Sequence, residues 1–459
     1  MKHGHFHRLL HYRGNRFEIA LSAVVCVVFL ILFWYGALER MEKVKADGNY
    51  LDQGAIMWYA KELHDTNYRW HGDGNRSPLY PVIQSLFYDT KMPWESFLVQ
   101  GKYVNLILSL FILVGLFVVF RRYLGLVQTT ALLGITAFTV FIFRAGYANP
   151  AHLFYFLSFV AFLLMCRMFV NPNPWTGILC GLTAGLAYLT KVSMLPGVIV
   201  FIVVFVMKEV FTLLAGRSKT AGAATPDKGL AYRLVGLGLF VVLFMGVISP
   251  QIAANKRVFG TYFYNVNTTF YTWYDSWEEA KRGTRAHGDR KGWPEVSPDR
   301  IPGPSKYWRE HTIGEISARL FIGSVLVTVT CVTSHGWFKY VLILAGMALI
   351  GVITNFSASV KKAGEQPFLI GFVLCYLGGY FVAYCWNGVI GAHSRYILSL
   401  FLPYVFSCSM VISATSGDRN ALTIFGRQVS FSGISGYILL VMICIELYPI
   451  ISHRIIVSG

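Results

Sequence analysis

Apolar residues run in blocks of about twenty along nearly the whole chain, the length that crosses a hydrocarbon core of roughly 30 Å as a helix. Polar residues gather between the blocks. The pattern predicts membrane spans near 19–38, 103–120, 127–143, 152–171, 175–190, 192–207, 234–252, 337–356, 367–386, 396–414 and 432–451, eleven in all. The run 316–334, ISARLFIGSVLVTVTCVTS, is apolar enough to be a twelfth. It reads instead as an interfacial helix, because inserting it would invert every later loop. The expected fold is an all-α polytopic membrane protein, a single transmembrane domain over 1–459. Two of its non-spanning segments, 40–102 and 253–336, are longer than any turn requires.

Composition agrees with this pattern. The chain is 55% hydrophobic and 16% aromatic with 14% charged residues, against roughly a quarter charged in soluble domains. Its formal charge of +17 would suit a nucleic acid partner, but the cations sit mostly where they report topology. Residues 1–16, MKHGHFHRLLHYRGNR, hold four Lys or Arg, four His and no acid. Arg121-Arg122, the 208–233 loop and Lys361-Lys362 fall on the same side as this segment. Lys and Arg collect in cytoplasmic loops, so the N-terminus reads as cytoplasmic and 40–102 and 253–336 as extracytoplasmic. The excess charge then serves topology and anionic headgroups, with no nucleic acid implied. The first span is too long for a signal-peptide core and lacks a small-residue cleavage site, so it reads as a retained anchor. A multi-pass cell membrane, of the bacterial inner-membrane type, is the expected location. The eight cysteines show no zinc-type spacing and lie in or beside apolar runs. They read as small buried hydrophobes.

Function is expected where the chain meets water on the side of the long segments. After the first span comes ADGNYLDQGAIMWYAKEL, residues 46–63, with Asp47 and Asp52. Tyr50, Gly54, Met57-Trp58 and Lys61 follow a helical spacing along the membrane surface. A carboxylate ahead of such a helix is either a cap held by backbone N–H groups or an acid–base group, and spacing leaves both open. Arg76, Lys191 and Arg395 stand at outer span ends, where ionisable side chains are costly unless used. Snorkelling into headgroups is the alternative for Lys191 and Arg395, and a salt bridge to Asp73 for Arg76. Arg144, His152 and His393 rank below them. Glu446, in the last span, is placed to pair with Arg454. Trp70, Trp273, Trp277 and Trp293 suit either sugar stacking or an interfacial belt. No Walker-type phosphate loop is present.

Several segments taken in order carry a family likeness: Asp47 and Tyr50 after the first span, NRSPLYPVIQSLFY at 75–88, FRRYLG at 120–125, NPAHLFYFLSFVAFLL, GILCGLTAGLAYLTKVSMLPG, SPQIAANKRVFG and HSRYILSLFLPYV. Together they resemble the GT-C-type integral-membrane glycosyltransferases, the superfamily of protein O-mannosyltransferases and lipid A aminoarabinose transferases, over nearly the whole chain. The most specific part is the acidic segment after the first span paired with Arg-x-Pro-Leu-Tyr-Pro at 76–81. The resemblance implies transfer of a sugar from a polyprenyl-phosphate carrier to a glycan, lipid or protein acceptor on the outer side, by inverting single displacement. It implies Asp47 as the catalytic base, with Asp52 and Tyr50 beside it supporting the loop or meeting the acceptor. Two departures stand out. Gly48 replaces the second acid that relatives often carry after the first, and Asn149-Pro150-Ala151-His152 stands where many have an acid at the fourth span. No cofactor is implied with certainty, and a divalent metal stays open.

The chemistry of the residues fits independently. A sugar phosphate brings its own leaving group, a carboxylate at about 2.6–3.2 Å takes the acceptor proton, and Arg76, Lys191 and Arg395 balance the departing phosphate. A transporter or flippase for lipid-linked sugars is the competing reading. Such proteins tend to repeat their halves and interrupt helices at the midplane, whereas here the two long segments differ and the charges lie at span ends.

Overall fold

The computed structural model describes residues 16–43, 52–69, 72, 74–217, 228–287, 301–391, 394–416, 422–424 and 427–455. Among them, eleven helices are long and apolar enough to cross a membrane, so the chain is an all-α, multi-pass membrane protein. In chain order the main helices are α1 (Arg16–Lys43), α2 (Gln53–Asp65), α3 (Leu79–Ser85), α4 (Trp94–Arg121), α5 (Leu126–Ala145), α6 (Ala151–Val170), α7 (Pro174–Thr190) and α8 (Leu195–Arg217). They continue with α9 (Lys228–Phe259), α10 (Ile313–Thr333), α11 (Trp337–Thr354), α12 (Phe356–Glu365), α13 (Pro367–Gly391), α14 (Phe401–Thr415) and α15 (Phe431–Pro449). One short antiparallel hairpin, Leu422–Ile424 against Arg427–Val429, is the departure from helix.

The second span begins at Trp94 rather than near 103, so the first long polar segment closes at Pro93. Gln100, Lys102 and Asn105 lowered the hydropathy of this stretch, but they sit on the helix and two of them face the protein interior: Lys102 is 3% exposed and Asn105 is 1% exposed. Hydropathy averages over a window and cannot tell a polar residue facing lipid from one facing protein.

By length and apolarity alone α10 counts among the eleven, while α7, at 17 residues, does not. Contacts reverse the two. Gly177, Gly181 and Gly185, four residues apart, press α7 onto α9: a Cβ on Gly177 would lie 2.0 Å from the Gly236 carbonyl oxygen, and one on Gly181 2.5 Å from that of Phe240. Small residues at this spacing let helix backbones approach closely in a membrane. Asn173 caps the start of α7, accepting from the Thr176 amide at 2.9 Å, with Pro174 in the first turn.

Both ends of α10 touch the same face of the bundle. Near its start, Arg319 donates to the carbonyls of Trp386, toward the end of α13, and of Thr272. Just past its end, His335 stacks on Phe143 at 3.8 Å. Phe143 leads into the 146–150 turn, where the Ala148 amide donates to Gln53 of α2. The segment holding Thr272 joins the first long segment, since the Val266 amide donates to the Gly74 carbonyl and Asn265 to that of Asn75. A capping box of Thr312 and Glu315 starts α10. A single stripe of Ile316, Arg319, Gly323, Val327 and Cys331 is buried, and Phe321, Val329 and Val332 point outward. This is the behaviour predicted for an interfacial helix. With α7 crossing and α10 along the surface, helix ends alternate consistently, and the described residues of 52–93 and 260–312 share one loop-rich face.

The opposite face is tied together separately. Asn355 donates to the Thr415 carbonyl, the Gln128 amide reaches the Ser435 hydroxyl, and Arg233 pairs with Glu209 at 2.8 Å. The first of these bonds puts the ends of α11 and α14 side by side.

Candidate functional site

Asp47, Tyr50, Trp70, Asp73, Trp293 and His393 lie outside the described residues, and of Arg395 and Arg454 only the backbone is described. The other predicted residues can be placed one by one.

Asp52 immediately precedes α2, in the left-handed backbone region at φ 64°, and its side chain makes no cap bond to the helix. Asp52 thus holds the position ahead of this helix, which runs from Gln53. A left-handed conformation at a non-glycine residue costs free energy that the surroundings must offset. Here Gln53, buried beside it, anchors the turn by accepting from the Ala148 amide at 3.0 Å. Arg76 reaches Asp52 across 3.2 Å; Asp73, the partner that sequence offered, lies outside the described residues.

Arg76 itself is placed by glycines in front and a tyrosine behind. Gly72 and Gly74 have φ of 84° and 71°, and a Cβ on Gly74 would lie 2.6 Å from the Tyr264 ring, so both the turn and the close approach require glycine. After Arg76, Pro78 precedes α3 and Tyr80 is fully buried. The Tyr80 hydroxyl donates to Asn105 at 3.1 Å and accepts from Gln84 at 2.8 Å. Asn105 in turn donates to the carbonyls of Arg144 and Ala145 at the end of α5. The Arg-x-Pro-Leu-Tyr-Pro motif is thus a plug in a satisfied buried network with its arginine carried to the surface.

Lys191 ends α7 in an extended backbone conformation. Its ammonium lies 4.4 Å from the centre of the Tyr396 ring and 5.5 Å from that of Phe154, within cation–π range. Tyr396 follows Arg395, so the backbone of that residue comes to the same place. A narrow cleft joins these elements: Arg76, Ser77 and Pro78 line one wall, and Leu189 and Val192, which flank Lys191, line the other. Gln251 and Asn255 of α9 also border it. The fold therefore brings Asp52, Arg76, Lys191 and the Arg395 backbone to one region of the loop-rich face.

Arg144 and His152 do not join them. Both are buried. His152 stacks on Phe141 at 4.1 Å, beside the π turn of α5 over Ala137–Phe141, and its Nδ1 lies 2.7 Å from Ser109 Oγ. The Ser109 hydroxyl also reaches the Asn105 carbonyl at 2.7 Å. These residues brace the turn behind the site. Glu446 pairs with Lys339 of α11; the side chain of Arg454, the partner expected from sequence, lies outside what is described.

A second polar cluster went unread in the sequence. Arg319, buried, donates to Asp275 Oδ1 at 2.9 Å and lies over the Trp386 and Tyr307 rings at 4.4 and 5.0 Å. The Tyr307 hydroxyl donates to the same carboxylate oxygen at 2.8 Å. His311 donates from Nε2 to Asp275 Oδ2 at 2.7 Å and from Nδ1 to the Tyr307 carbonyl at 2.9 Å. An imidazole that donates from both nitrogens is an imidazolium. Burial pulls the His311 pKa down, but the Tyr307 carbonyl and the Asp275 carboxylate outweigh it and hold the pKa above its ordinary value. One signal was available: a lone arginine in the apolar run ISARLFIG, where an ionisable residue needs a partner.

The sequence matches no protein-family profile and no curated protein. Among the described residues no group of three or more His, Cys, Asp or Glu side chains is gathered to hold a metal.

Proposed function

We propose that this chain is a GT-C-type membrane glycosyltransferase, moving a sugar from a polyprenyl-phosphate carrier to an acceptor at the loop-rich face. The basic N-terminal segment supports assigning that face to the outside of a cell membrane. The observation that carries the reading is the convergence of three elements distant in sequence: Arg76 paired with Asp52, and Leu189 and Val192 on either side of Lys191, meet at one narrow crevice on the loop-rich face. Two cations at a membrane surface suit a lipid-linked phosphate, the arginine by its fork and the lysine as a point charge. In this reading Asp47 takes the proton of the acceptor hydroxyl as that oxygen forms the new glycosidic bond. The carbon–oxygen bond to the carrier phosphate breaks, and the phosphate leaves as an anion held by Arg76 and Lys191. The step needs no nucleotide, since the sugar phosphate brings its own leaving group.

The competing reading is a transporter of the same lipid-linked sugar. It differs in its product, since a transporter leaves the sugar on its carrier. The test is transfer from a polyprenyl-phosphate sugar to acceptor by the purified full-length protein, against Asp47→Asn. Loss of a positioned acid–base group lowers the rate by roughly a hundredfold to ten-thousandfold, while donor binding persists. Transfer near the parental rate in Asp47→Asn refutes the base assignment, and translocation of donor with no cleavage of its sugar refutes the enzyme.

A further inference from the structure

The segment SPQIAANKRVFG, at the end of α9, supplies no named group to the proposed transfer step. Pro250 lies inside α9 and has no N–H for the Gly246 carbonyl, and the Ser249 hydroxyl donates there instead at 2.8 Å. Asn255, 2% exposed, accepts from Gln251 at 3.1 Å and donates to the carbonyls of Tyr262 and Tyr264. A buried side chain of α9 thus holds the start of the second long segment.

Asn265, 5% exposed, carries the connection onward. Its Oδ1 accepts from the amides of Asn267 and Thr268, at 3.1 and 3.4 Å, and so caps the short helix Val266–Thr269. With the oxygen committed to two amides, Nδ2 faces the other way and donates to the Asn75 carbonyl at 2.9 Å. Beside it the Val266 amide donates to the Gly74 carbonyl, and the Asn267 side chain donates to that of Asn75. Residues 265–267 therefore grip 74–75, and the next residue is Arg76. Asp52 meets that arginine at its guanidinium, whereas its backbone follows from the grip on 74–75.

We propose that Asn265 is a positioning residue for Arg76: its amide fixes the Asn75 carbonyl, and with it the direction from which the guanidinium meets the carrier phosphate. The inference rests on the glycosyltransferase reading for its ligand, though not for its geometry. An arginine fork binds phosphate through directed bonds, so a backbone free to shift loses part of that affinity. Asn75 is half-buried, so water replaces the lost donor and the fold keeps its stability.

The test is Asn265→Ser in the full-length protein. Serine caps a helix about as well as asparagine but is too short to keep the bond to Asn75. In neutral detergent, affinity for farnesyl monophosphate is expected to fall by roughly threefold to tenfold at the parental melting temperature. In an Arg76→Ala background the same change is expected to cost nothing further, since the two side chains act through one contact. A second readout needs no ligand: in protein carrying Arg76→Cys, the added Asn265→Ser is expected to speed labelling of the thiol by an impermeant methanethiosulfonate reagent. Parental affinity in Asn265→Ser, an equal loss in the Arg76→Ala background or an unchanged labelling rate overturns the positioning role. A parent that does not bind farnesyl monophosphate removes support from the carrier reading instead, and the labelling rate alone then decides the role of Asn265.

Discussion

Two aspartate–arginine pairs stand on the loop-rich face, and they are built differently. Asp275 receives a guanidinium, an imidazolium and a tyrosine hydroxyl, and its Arg319 also serves two backbone carbonyls under two aromatic rings. Asp52 and Arg76 meet across a longer 3.2 Å, with the Asp52 side chain 48% exposed and the arginine lining a cleft. The first arrangement uses the hydrogen-bonding capacity of a buried arginine on protein groups and clamps the segment 270–312 onto α10 and α13. The second keeps its charges where a ligand can reach them. The two carboxylates are about equally exposed, at 44% and 48%, so the difference lies in the arginines: Arg319, 4% exposed, serves protein groups as architecture requires, whereas Arg76, 22% exposed with one carboxylate contact, adds little stability and makes better sense as part of a site.

The largest effect that would break this contrast is on stability. Arg319→Met leaves Asp275 without its guanidinium and two carbonyls without a donor, and is expected to cost roughly 3 kcal/mol, the lower end for a broken buried pair because Asp275 is partly exposed. Denaturant unfolding in detergent measures it, and a parental midpoint would strip the cluster of its clamping role. Next in size are Arg76→Ala and Lys191→Ala. Each is expected to weaken binding of a polyprenyl-phosphate sugar by about tenfold or more while stability falls by under about 1 kcal/mol. Titration beside unfolding separates the two, and a variant that loses stability but keeps donor binding belongs with the clamp instead.

The smallest effect is a pH dependence confined to the closed cluster. His311 faces Asp275 from the 260–287 segment, Tyr307 and Glu315 from its own stretch of chain, and Arg319 from α10. Its folded pKa is raised above the ordinary value of about 6.5, so its stabilising contribution is complete below that value and is lost as pH rises through the folded pKa. Melting temperature is expected to fall across this upward window in the parent and to lose that slope in His311→Gln. Equal slopes in both proteins would show that the imidazolium is not part of the clamp.

Much of the fold was legible in the sequence, and the reasons are local. The Pro-Leu-Tyr-Pro stretch could be singled out, but that Tyr80 plugs the Asn105 network could not, because the partner lies on another helix. The Gly177, Gly181 and Gly185 spacing was open to reading and states why a helix of 17 residues can cross packed on its neighbour. The start of α4 was misjudged by nine residues, since Lys102 and Asn105 look like loop residues until their burial is known. Arg76 could be singled out as a cation at an outer span end, but its contact with Asp52, 24 positions away, could not be read from spacing.

By itself the sequence determined that the chain is helical and polytopic, because backbone groups in hydrocarbon must be bonded within their own segment and a crossing helix needs about twenty apolar residues. It also determined where cations crowd, and with them the expected orientation. Only the tertiary structure decided that α10 begins and ends on one face, that Arg76 meets the residues flanking Lys191 at one crevice, and that Asp275, His311 and Arg319 close on one another. Hydropathy and spacing report the environment one helix prefers along its own length. Which side chains meet depends on how helices far apart in the chain pack together, and that is decided by the whole bundle at once.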